Sequence, residues 1–359
     1  MKFSLSNLSF LKPRRSFGID LGTRAFKGVE LRRGTKGLVL ERFFFADFGP
    51  RMHQMTPIEK SRNLSTLLEV HEMSGKKVYG ALPDAQVSVF NLQFPPMPND
   101  EIRSAVMHEM ANRLAFPVTE AVFDYSEPRP SVTEKGQKVL DLRAFCSRRE
   151  VLNGVIATLA SSHLKLLAID SEILANIAVL QHGAYIHEKS KPSVVLDFGN
   201  GHCTAALIVG GEALFVNVVL NGNDRLRHEI AQAFSIDAGV AEKLARGERA
   251  GLDLDWQSLE DLCLEHDRVL LGEILHSVEF FREHLGAHTL EDAFVLGAPH
   301  AVERIGKLIP EFLGLRPQVV DPLRNFELGA SIGEKNADFG IQAPYLTVAL
   351  GAALRGLAA

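Results

Sequence analysis

One short pattern, an apolar run followed by Asp-x-Gly and a turn of small or polar residues, occurs twice in the sequence. The first copy spans residues 18–23 (GIDLGT) and the second residues 196–204 (LDFGNGHCT). A hairpin turn that contains glycine can direct several backbone N–H groups at one phosphate, and the threonine of each copy adds a hydroxyl donor. Asp20 and Asp197 lie at strand ends, where a carboxylate can hold Mg²⁺ through its coordinated waters. Two such turns facing each other would bind a triphosphate and its metal.

Other interpretations of these turns are weaker. An Asp-Gly turn is common in β-hairpins, so one copy alone would indicate only a turn, whereas the repetition favours a pair with a shared role. The sequence has no GxxxxGK[ST] loop, and the second copy lacks the third glycine and the following helix of a dinucleotide motif. Residues 294–299 (FVLGAP) form a strand that runs into a turn of small residues. Such a turn lets a flat base lie against the backbone, but it is equally a plain strand-to-helix connection.

The composition excludes several classes of protein. A chain of 359 residues, 46% apolar and 23% charged, predicts two or three folded domains. The net charge of -5 argues against a nucleic-acid partner, because phosphate-backbone binders are basic. The three cysteines are far apart, which excludes a disulfide framework and a structural zinc site and favours a reducing cytoplasm. The longest uncharged stretch, residues 339–354, is shorter than the ~20 apolar residues of a membrane span.

Hydrophobic periodicity predicts alternating strands and helices in two β-rich lobes. A rigid connector at 94–98 (FPPMP) precedes what we interpret as an inserted subdomain with a Pro-rich loop at 127–137, and residues 186–192 form the clearest linker. The predicted strands are 16–20, 25–31, 38–45, 78–82, 86–92, 121–125, 138–145, 166–170, 193–197, 203–209, 213–220 and 293–297. The predicted helices are 58–73, 100–114, 148–162, 172–181, 224–234, 266–284, 300–313 and 343–356.

The whole pattern resembles the actin-like ATPase superfamily and, within it, the PilM family of type IV pilus assembly proteins. The resemblance runs from about residue 16 to residue 355. The matching segments are 18–23 with Lys27, 29–31 (VEL), 112–117 (NRLAFP), 122–125 (VFDY), 168–172 (AIDSE), 230–231 (IA), 241–244 (AEKL) and 348–355 (VALGAALR).

The resemblance implies an α/β, two-lobed actin-like (ribonuclease H-like) ATPase fold with an inserted α+β subdomain in the first lobe. The first lobe is expected to comprise residues 16–75, 165–185 and 335–359, with the insert at 76–164. The second lobe is expected at 186–334, and residues 1–15 form a basic N-terminal segment.

The resemblance also implies ATP and Mg²⁺ as cofactors and a set of site residues. Asp20, Gly22, Thr23 and Lys27 would form the first phosphate site, and Asp197, Gly199, Gly201 and Thr204 the second, with Asp20 and Asp197 serving the metal. Gly297 and Ala298 would touch adenosine, and Glu242 its ribose or base. Glu172 would orient a hydrolytic water or, as a second reading, stabilise the N-terminus of its helix through the helix dipole.

The function so implied is that of an ATP-binding cytoplasmic assembly protein with slow or absent turnover. Its partner would be the short cytoplasmic N-terminal peptide of PilN, an inner-membrane pilus protein, held in a groove near residues 86–125. The basic segment 1–15 would contact the cytoplasmic face of the membrane or form a frayed end, and self-association into homo-oligomers is left open. Two alternatives remain: a small-molecule kinase of the same superfamily, and a filament-forming cell-division homologue of actin.

Overall fold

The computed structural model describes residues 14–73, 77–133, 135–187, 189–248, 254–284, 290–333 and 339–358. Most of the basic segment 1–15 therefore lies outside the described residues. The strands of the described part are β1 Arg15–Leu21, β2 Ala25–Arg33, β3 Leu38–Asp47, β4 Lys77–Leu82, β5 Ser88–Phe94, β6 Ala121–Tyr125, β7 Arg129–Val132, β8 Lys138–Arg148, β9 Lys165–Ser171, β10 Ser193–Phe198, β11 Cys203–Val209, β12 Glu212–Val219, β13 Asp292–Gly297, β14 Arg316–Val319 and β15 Phe326–Leu328.

The helices lie between these strands and at the end of the chain. They are α1 Pro57–Val70, α2 Asn99–Arg113, α3 Arg149–Ser161, α4 Glu172–His182, α5 Asn223–Phe234, α6 Ala238–Ala245, α7 Trp256–His284, α8 Pro299–Gly306, α9 Ile309–Leu313, α10 Ala330–Gly333, α11 Phe339–Gln342 and α12 Thr347–Ala358. Among the helices of the described ranges, none combines the length and the apolarity that crossing a bilayer requires.

Two sheets repeat one topology. The first has the strand order β15-β3-β2-β1-β4-β9, and the second has β12-β11-β10-β13-β14. In each, an antiparallel three-strand meander is followed by parallel strands on the side of its first strand. The two Asp-x-Gly turns join the first and second strands of each meander, so the sequence repeat marks equivalent positions in two equivalent lobes.

Two helices, α4 and α12, pack against each other beside the first sheet. Alanine, valine and leucine side chains make their contact surface apolar, as in Ala175 and Val348. A Cβ added to Gly351 would lie 2.0 Å from the carbonyl oxygen of Ala175, so only glycine lets the two backbones come this close. Because α4 begins at Glu172, directly after β9, this packing determines where the Glu172 side chain lies.

A third sheet, of the order β5-β8-β6 with β7 paired to β8, carries helix α2 on one face. The insert was expected to span residues 76–164, but β4 pairs with β1 and β9 in the first sheet, where Val78 and Leu82 are buried. The separate sheet thus runs from β5 to β8. Strand β15, which was assigned to the second lobe, pairs with β3 of the first.

Several predicted elements differ from the observed ones for local reasons. The Pro-rich loop at 127–137 contains strand β7, because its backbone pairs with β8. The helix predicted at 300–313 is two helices, since Pro310 cannot continue a helical hydrogen-bond ladder. The helix predicted at 266–284 begins ten residues earlier, at Trp256, and the last helix begins at Thr347 after a 3₁₀ turn that contains Pro344. Helix α6 was missed although Asp237 caps it through the N–H groups of Gly239 and Val240.

Candidate functional site

A cleft of about 360 Å³ lies between the first and second lobes, with both Asp-x-Gly turns in its walls. A Cβ added to Gly201 would lie 3.4 Å from the Thr23 hydroxyl, so the two turns meet directly. Of the predicted site residues, the following line this cleft: Asp20, Gly22, Thr23, Lys27, Glu172, Asp197, Gly199, Gly201, Glu242, Gly297 and Ala298. The structure thus brings together eleven of the twelve, from segments far apart in the chain.

Lys27 and Asp20 form an ion pair at the floor of the cleft. The two residues are opposite each other in the β1–β2 register, and the Lys27 ammonium donates to Asp20 Oδ2 at 2.6 Å. Burial raises the pKa of the Asp20 carboxyl, and the neighbouring ammonium opposes that rise. Burial lowers the pKa of Lys27, but the Asp20 carboxylate more than reverses this and leaves it above its ordinary value. Lys27 therefore remains a cation that faces the same space as Asp197.

Asp197 occupies the equivalent position in the second lobe. Its Oδ2 accepts a hydrogen bond of 2.8 Å from the amide of Asn176 on α4, and Asn176 is fully buried. Burial raises the pKa of Asp197, and the charge of Glu172 raises it further. Asn176 Oδ1 has no hydrogen-bond partner among the described residues. The end of the cleft near α4 thus concentrates carboxylates that a divalent cation would stabilise.

Two further side chains, those of Asp84 and His202, lie beside Glu172. Its Oε2 accepts from the backbone N–H of Asp84 at 3.0 Å and lies 3.0 Å from His202 Nε2. Burial lowers the pKa of His202, but the bond to Glu172 and the nearby carboxylates raise it above its ordinary value overall. Ligand atoms of Asp84, Glu172 and His202 lie within 4.8 Å of one another. Each Asp84 oxygen also accepts a hydrogen bond from the protein, one from the N–H of Ile173 and one from the hydroxyl of Thr204.

Thr204 is the one predicted site residue that does not line the cleft. It is buried, and its hydroxyl donates to Asp84 Oδ2 at 3.1 Å. The prediction that it supplies a phosphate donor is corrected, because its hydroxyl is buried and its proton is already donated to Asp84. Thr204 instead holds Asp84, a residue that our sequence reasoning missed although it follows a buried strand beside β1.

Asp84 predicts a specific pH dependence of stability. Burial and the charge of Glu172 raise its pKa to about 7. Because the native state then binds this proton more tightly than the unfolded chain does, stability falls as pH rises from about 4 to about 7. Asp84→Asn keeps an oxygen that accepts from the Ile173 N–H, and its amide NH₂ can donate to the Thr204 hydroxyl, which then acts as the acceptor. The variant should remove about 2 kcal/mol of the loss of stability between pH 5 and pH 8. Urea unfolding at both pH values measures this difference. The prediction is contradicted if the free energy of unfolding falls between pH 5 and pH 8 by the same amount in the variant as in wild type.

An ionic network joins the two lobes at the other end of the cleft. Arg24, which follows Thr23, donates to Asp224 at 3.0 Å and to Glu242 at 2.9 Å, both in the second lobe. Glu242 also pairs with Arg227 and Arg246, and Arg246 reaches back to Asp47 of β3. The predicted ribose contact, Glu242, is therefore held by arginines in this structure, and a ligand hydroxyl would share it with them.

Arg24 is expected to contribute substantially to the stability of the two-lobed state. Its side chain is only 3% exposed, so Arg24→Gln would leave partly buried carboxylates without one of their cations. We expect the free energy of unfolding to fall by about 2 kcal/mol. Arg225→Gln is the matched control, because Arg225 is half exposed and, within the described ranges, its side chain pairs only with Glu229 of its own helix, a contact worth at most about 0.5 kcal/mol. Equal losses in both variants, measured by urea unfolding, would rule out the interlobe role.

A strand-to-helix turn closes the cleft near this network. Gly297 has φ +111°, and a Cβ there would lie 2.4 Å from the carbonyl oxygen of Phe198, so glycine is required. The N–H of Ala298 donates to the same carbonyl at 3.1 Å. The turn is thereby fastened to β10 and the second phosphate turn. Its bare backbone faces the cleft, as a surface against which a flat ring could lie.

A second cavity, of about 1070 Å³, lies between the inserted sheet and the first lobe, with residues 211–213 of the second lobe also in its wall. Four consecutive residues of β6, Val122 to Tyr125, line it, as do Ile169, Asp170 and Ser171 of β9. Consecutive residues of a strand point to opposite faces, so lining by all of them means that the strand edge faces the cavity. Both β6 and β9 are terminal strands of their sheets in the described part of the chain. We call this cavity the edge groove.

Comparison with solved structures identifies the fold. A structure of a PilM-PilN type IV pilus biogenesis complex superposes with a TM-score of 0.81 at 24% identity, covering 96% of this chain and 99% of that one. The ethanolamine utilization protein EutJ from Carboxydothermus hydrogenoformans gives 0.52 at 15% identity over 96% of this chain and 91% of its own. MreB5 of Spiroplasma citri bound to ADP gives 0.51 at 12% over 94% of each. The predicted actin-like fold is confirmed.

The family comparison covers nearly the whole chain. No curated protein sequence matches it. The family model described as type IV pilus assembly protein PilM matches residues 18–357, from the first Asp-x-Gly turn to the end of α12. The sequence resemblance to this family is thereby confirmed, and the chain belongs to the PilM family of actin-like type IV pilus assembly proteins.

Proposed function

We propose that this protein is a nucleotide-dependent scaffold of the type IV pilus machinery. It binds Mg-ATP in the interlobe cleft and holds the N-terminal cytoplasmic peptide of a PilN-like inner-membrane protein in the edge groove. The observation that carries the first part is the direct meeting of the two Asp-x-Gly turns across one cleft. The observation that supports the second is a large groove bounded by two strand edges.

The cleft residues fit a metal-bound triphosphate. Glycines at positions 22, 199 and 201 leave backbone N–H groups accessible, and a side chain at Gly199 would lie 2.6 Å from the His202 carbonyl oxygen. Asp20 and Asp197 supply the carboxylates that Mg²⁺ prefers, and Lys27 supplies a fixed cation for phosphate oxygens. Bound Mg²⁺ would neutralise phosphate charge.

The placement of Glu172 is compatible with nucleotide binding without hydrolysis as well as with hydrolysis. Its Oε2 is held by the Asp84 N–H and by His202, which orients the carboxylate beside Asp197 and at the first turn of α4. A carboxylate so placed can orient a water, and it also stabilises the helix N-terminus. Binding alone is enough for a scaffold, because a ligand that prefers one arrangement of the lobes shifts their population.

The edge groove suits an extended peptide. Its lining is predominantly apolar and includes Leu174 and Ala178 on one face of α4, with Phe123 and Phe145 from the inserted sheet. The unpaired N–H and C=O groups of an edge strand can hydrogen-bond an added strand, and the apolar lining provides pockets for its side chains. We expected the peptide groove near residues 86–125. The edge groove includes residues 122–125 of that region and continues along β9 and α4.

Helix α4 connects the two sites. Its first residue, Glu172, lies in the nucleotide cleft, and Gln181 near its end lines the edge groove and donates to the Gly211 carbonyl of the second lobe at 2.9 Å. Glu212, next to Gly211, pairs with Arg129 and Arg143 of the inserted sheet. A change in lobe arrangement at the cleft would therefore move one wall of the groove.

We also propose that the protein acts at the cytoplasmic face of the inner membrane. The partner peptide would hold it there, aided by the cations at Lys2, Lys12 and Arg14 of the N-terminal segment. Arg15 would contribute less charge to this membrane contact, because its guanidinium pairs with Glu30 at 3.2 Å.

Peptide titration tests this function. A fluorescein-labelled peptide of the first 25 or so residues of the PilN-like partner would be titrated by anisotropy with protein, alone and with saturating Mg-ATP. We expect saturable binding with an affinity that differs at least about threefold between the two conditions, a coupling within the usual range. A scrambled peptide is the control. Absence of binding under both conditions would refute the scaffold role, and equal affinities would refute its nucleotide dependence.

A further inference from the structure

We propose that His300 recognises the base of the nucleotide that binds in the interlobe cleft, an inference that rests on the proposed function. His300 lies in the first turn of α8, directly after the Gly297-Ala298 turn, and it lines the cleft. Its Nε2 is buried and has no hydrogen-bond partner among the described residues. A buried polar atom without a partner is costly, so this nitrogen is suited to a ligand group.

The position of His300 distinguishes the base from the phosphates. The charges that act on Asp20 and Asp197 come from Lys27, Glu172 and His202, at the end of the cleft near α4. Those that act on His300 come from a different group, namely Arg304, Arg246, Arg227 and Arg24. His300 therefore belongs to the end with the interlobe ionic network. A nucleotide whose phosphates lie between the Asp-x-Gly turns would extend its nucleoside toward this end.

The charge state of His300 also favours a base. Burial lowers its pKa to about 3, and the surrounding arginines contribute to this shift. The imidazole is then neutral throughout the physiological range, with one N–H donor and one acceptor nitrogen. A phosphate would be bound better by an imidazolium. The Nε2 of a neutral ring can form one hydrogen bond with an adenine edge, either accepting from the amino group or donating to a ring nitrogen, according to the tautomer.

Two substitutions and two ligands test this assignment. Calorimetric titrations would use Mg-ATP and Mg-tripolyphosphate on wild type, His300→Ala and His300→Gln. We expect His300→Ala to weaken Mg-ATP about tenfold, the effect of one lost hydrogen bond, and to leave tripolyphosphate unchanged. His300→Gln offers an amide donor and acceptor near the position of Nε2 and should stay within about threefold of wild type for Mg-ATP.

The outcomes separate this inference from the proposed function. Wild type that fails to bind Mg-ATP would overturn the nucleotide function and this assignment with it. Normal binding of Mg-ATP by wild type and by His300→Ala would overturn the assignment alone, as would equal losses in the alanine and glutamine variants. An equal loss of Mg-ATP and tripolyphosphate in His300→Ala would move the role to the phosphates. Thermal unfolding of each ligand-free variant checks that the cleft is intact.

Discussion

Asp197→Asn is expected to reduce the affinity for Mg-ATP by at least about 100-fold while leaving the ligand-free protein as stable as wild type. The carboxylate lies at one of the two meeting turns and would carry half of the charge that holds the metal. Asparagine can still accept the bond from Asn176 through its amide oxygen, so the fold loses little. Calorimetric titration with Mg-ATP, paired with urea unfolding, measures both quantities.

Asp20→Asn should reduce Mg-ATP binding as much as Asp197→Asn does, and it should also destabilise the fold. Lys27 would lose its 2.6 Å partner at a buried position, and the free energy of unfolding should fall by about 3 kcal/mol. Glu303→Gln is a suitable control, because Glu303 is 77% exposed on α8 and Lys307 is its only ion-pair partner in the part of the chain that the structure describes. Mg-ATP binding that survives in both aspartate variants would show that the Asp-x-Gly pattern is only a turn motif.

The second large effect is expected in the edge groove. Ala178 lies on the face of α4 that lines the groove and is only partly buried. Ala178→Arg keeps a good helix former and projects a long side chain into the space the peptide would occupy. We expect the affinity for the partner peptide to fall at least about 100-fold, with Mg-ATP binding retained.

Ala157→Arg serves as the matched control for this experiment. Ala157 is exposed on α3, away from the groove lining, and the same substitution there should leave peptide affinity within about twofold of wild type. Peptide anisotropy on both variants decides the matter. If Ala178→Arg binds the peptide as tightly as Ala157→Arg does, the partner lies elsewhere on the protein.

The parts of the site that could be predicted are those carried by local sequence. An Asp-x-Gly turn after an apolar strand indicates its hairpin without further information, and its repetition predicted two equivalent lobes. The pairing of Lys27 with Asp20 is also a local feature, because the short turn between β1 and β2 sets their register and so places the two residues opposite each other. The fold followed from this repeat together with the family resemblance.

The parts that could not be predicted depend on contacts between distant segments. Thr204 bonds Asp84 from 120 residues away, and Arg24 bonds Asp224 and Glu242 from 200 and 218 residues away. The local sequence around a threonine does not show whether its hydroxyl will face a phosphate or, as at Thr204, a buried carboxylate on a distant segment. Of the site residues that we missed, His202 was the easiest to find from the sequence, because it lies within the second Asp-x-Gly turn itself.

The most direct measurement is a crystal structure of the protein grown with Mg²⁺ and the non-hydrolysable analogue AMPPNP. We expect one nucleotide in the interlobe cleft, with its phosphates within hydrogen-bond distance of backbone N–H groups from both turns, at Gly22-Thr23 and at Gly199 to Gly201. Nucleotide density that touches only one turn, or that lies outside the cleft, would contradict this expectation.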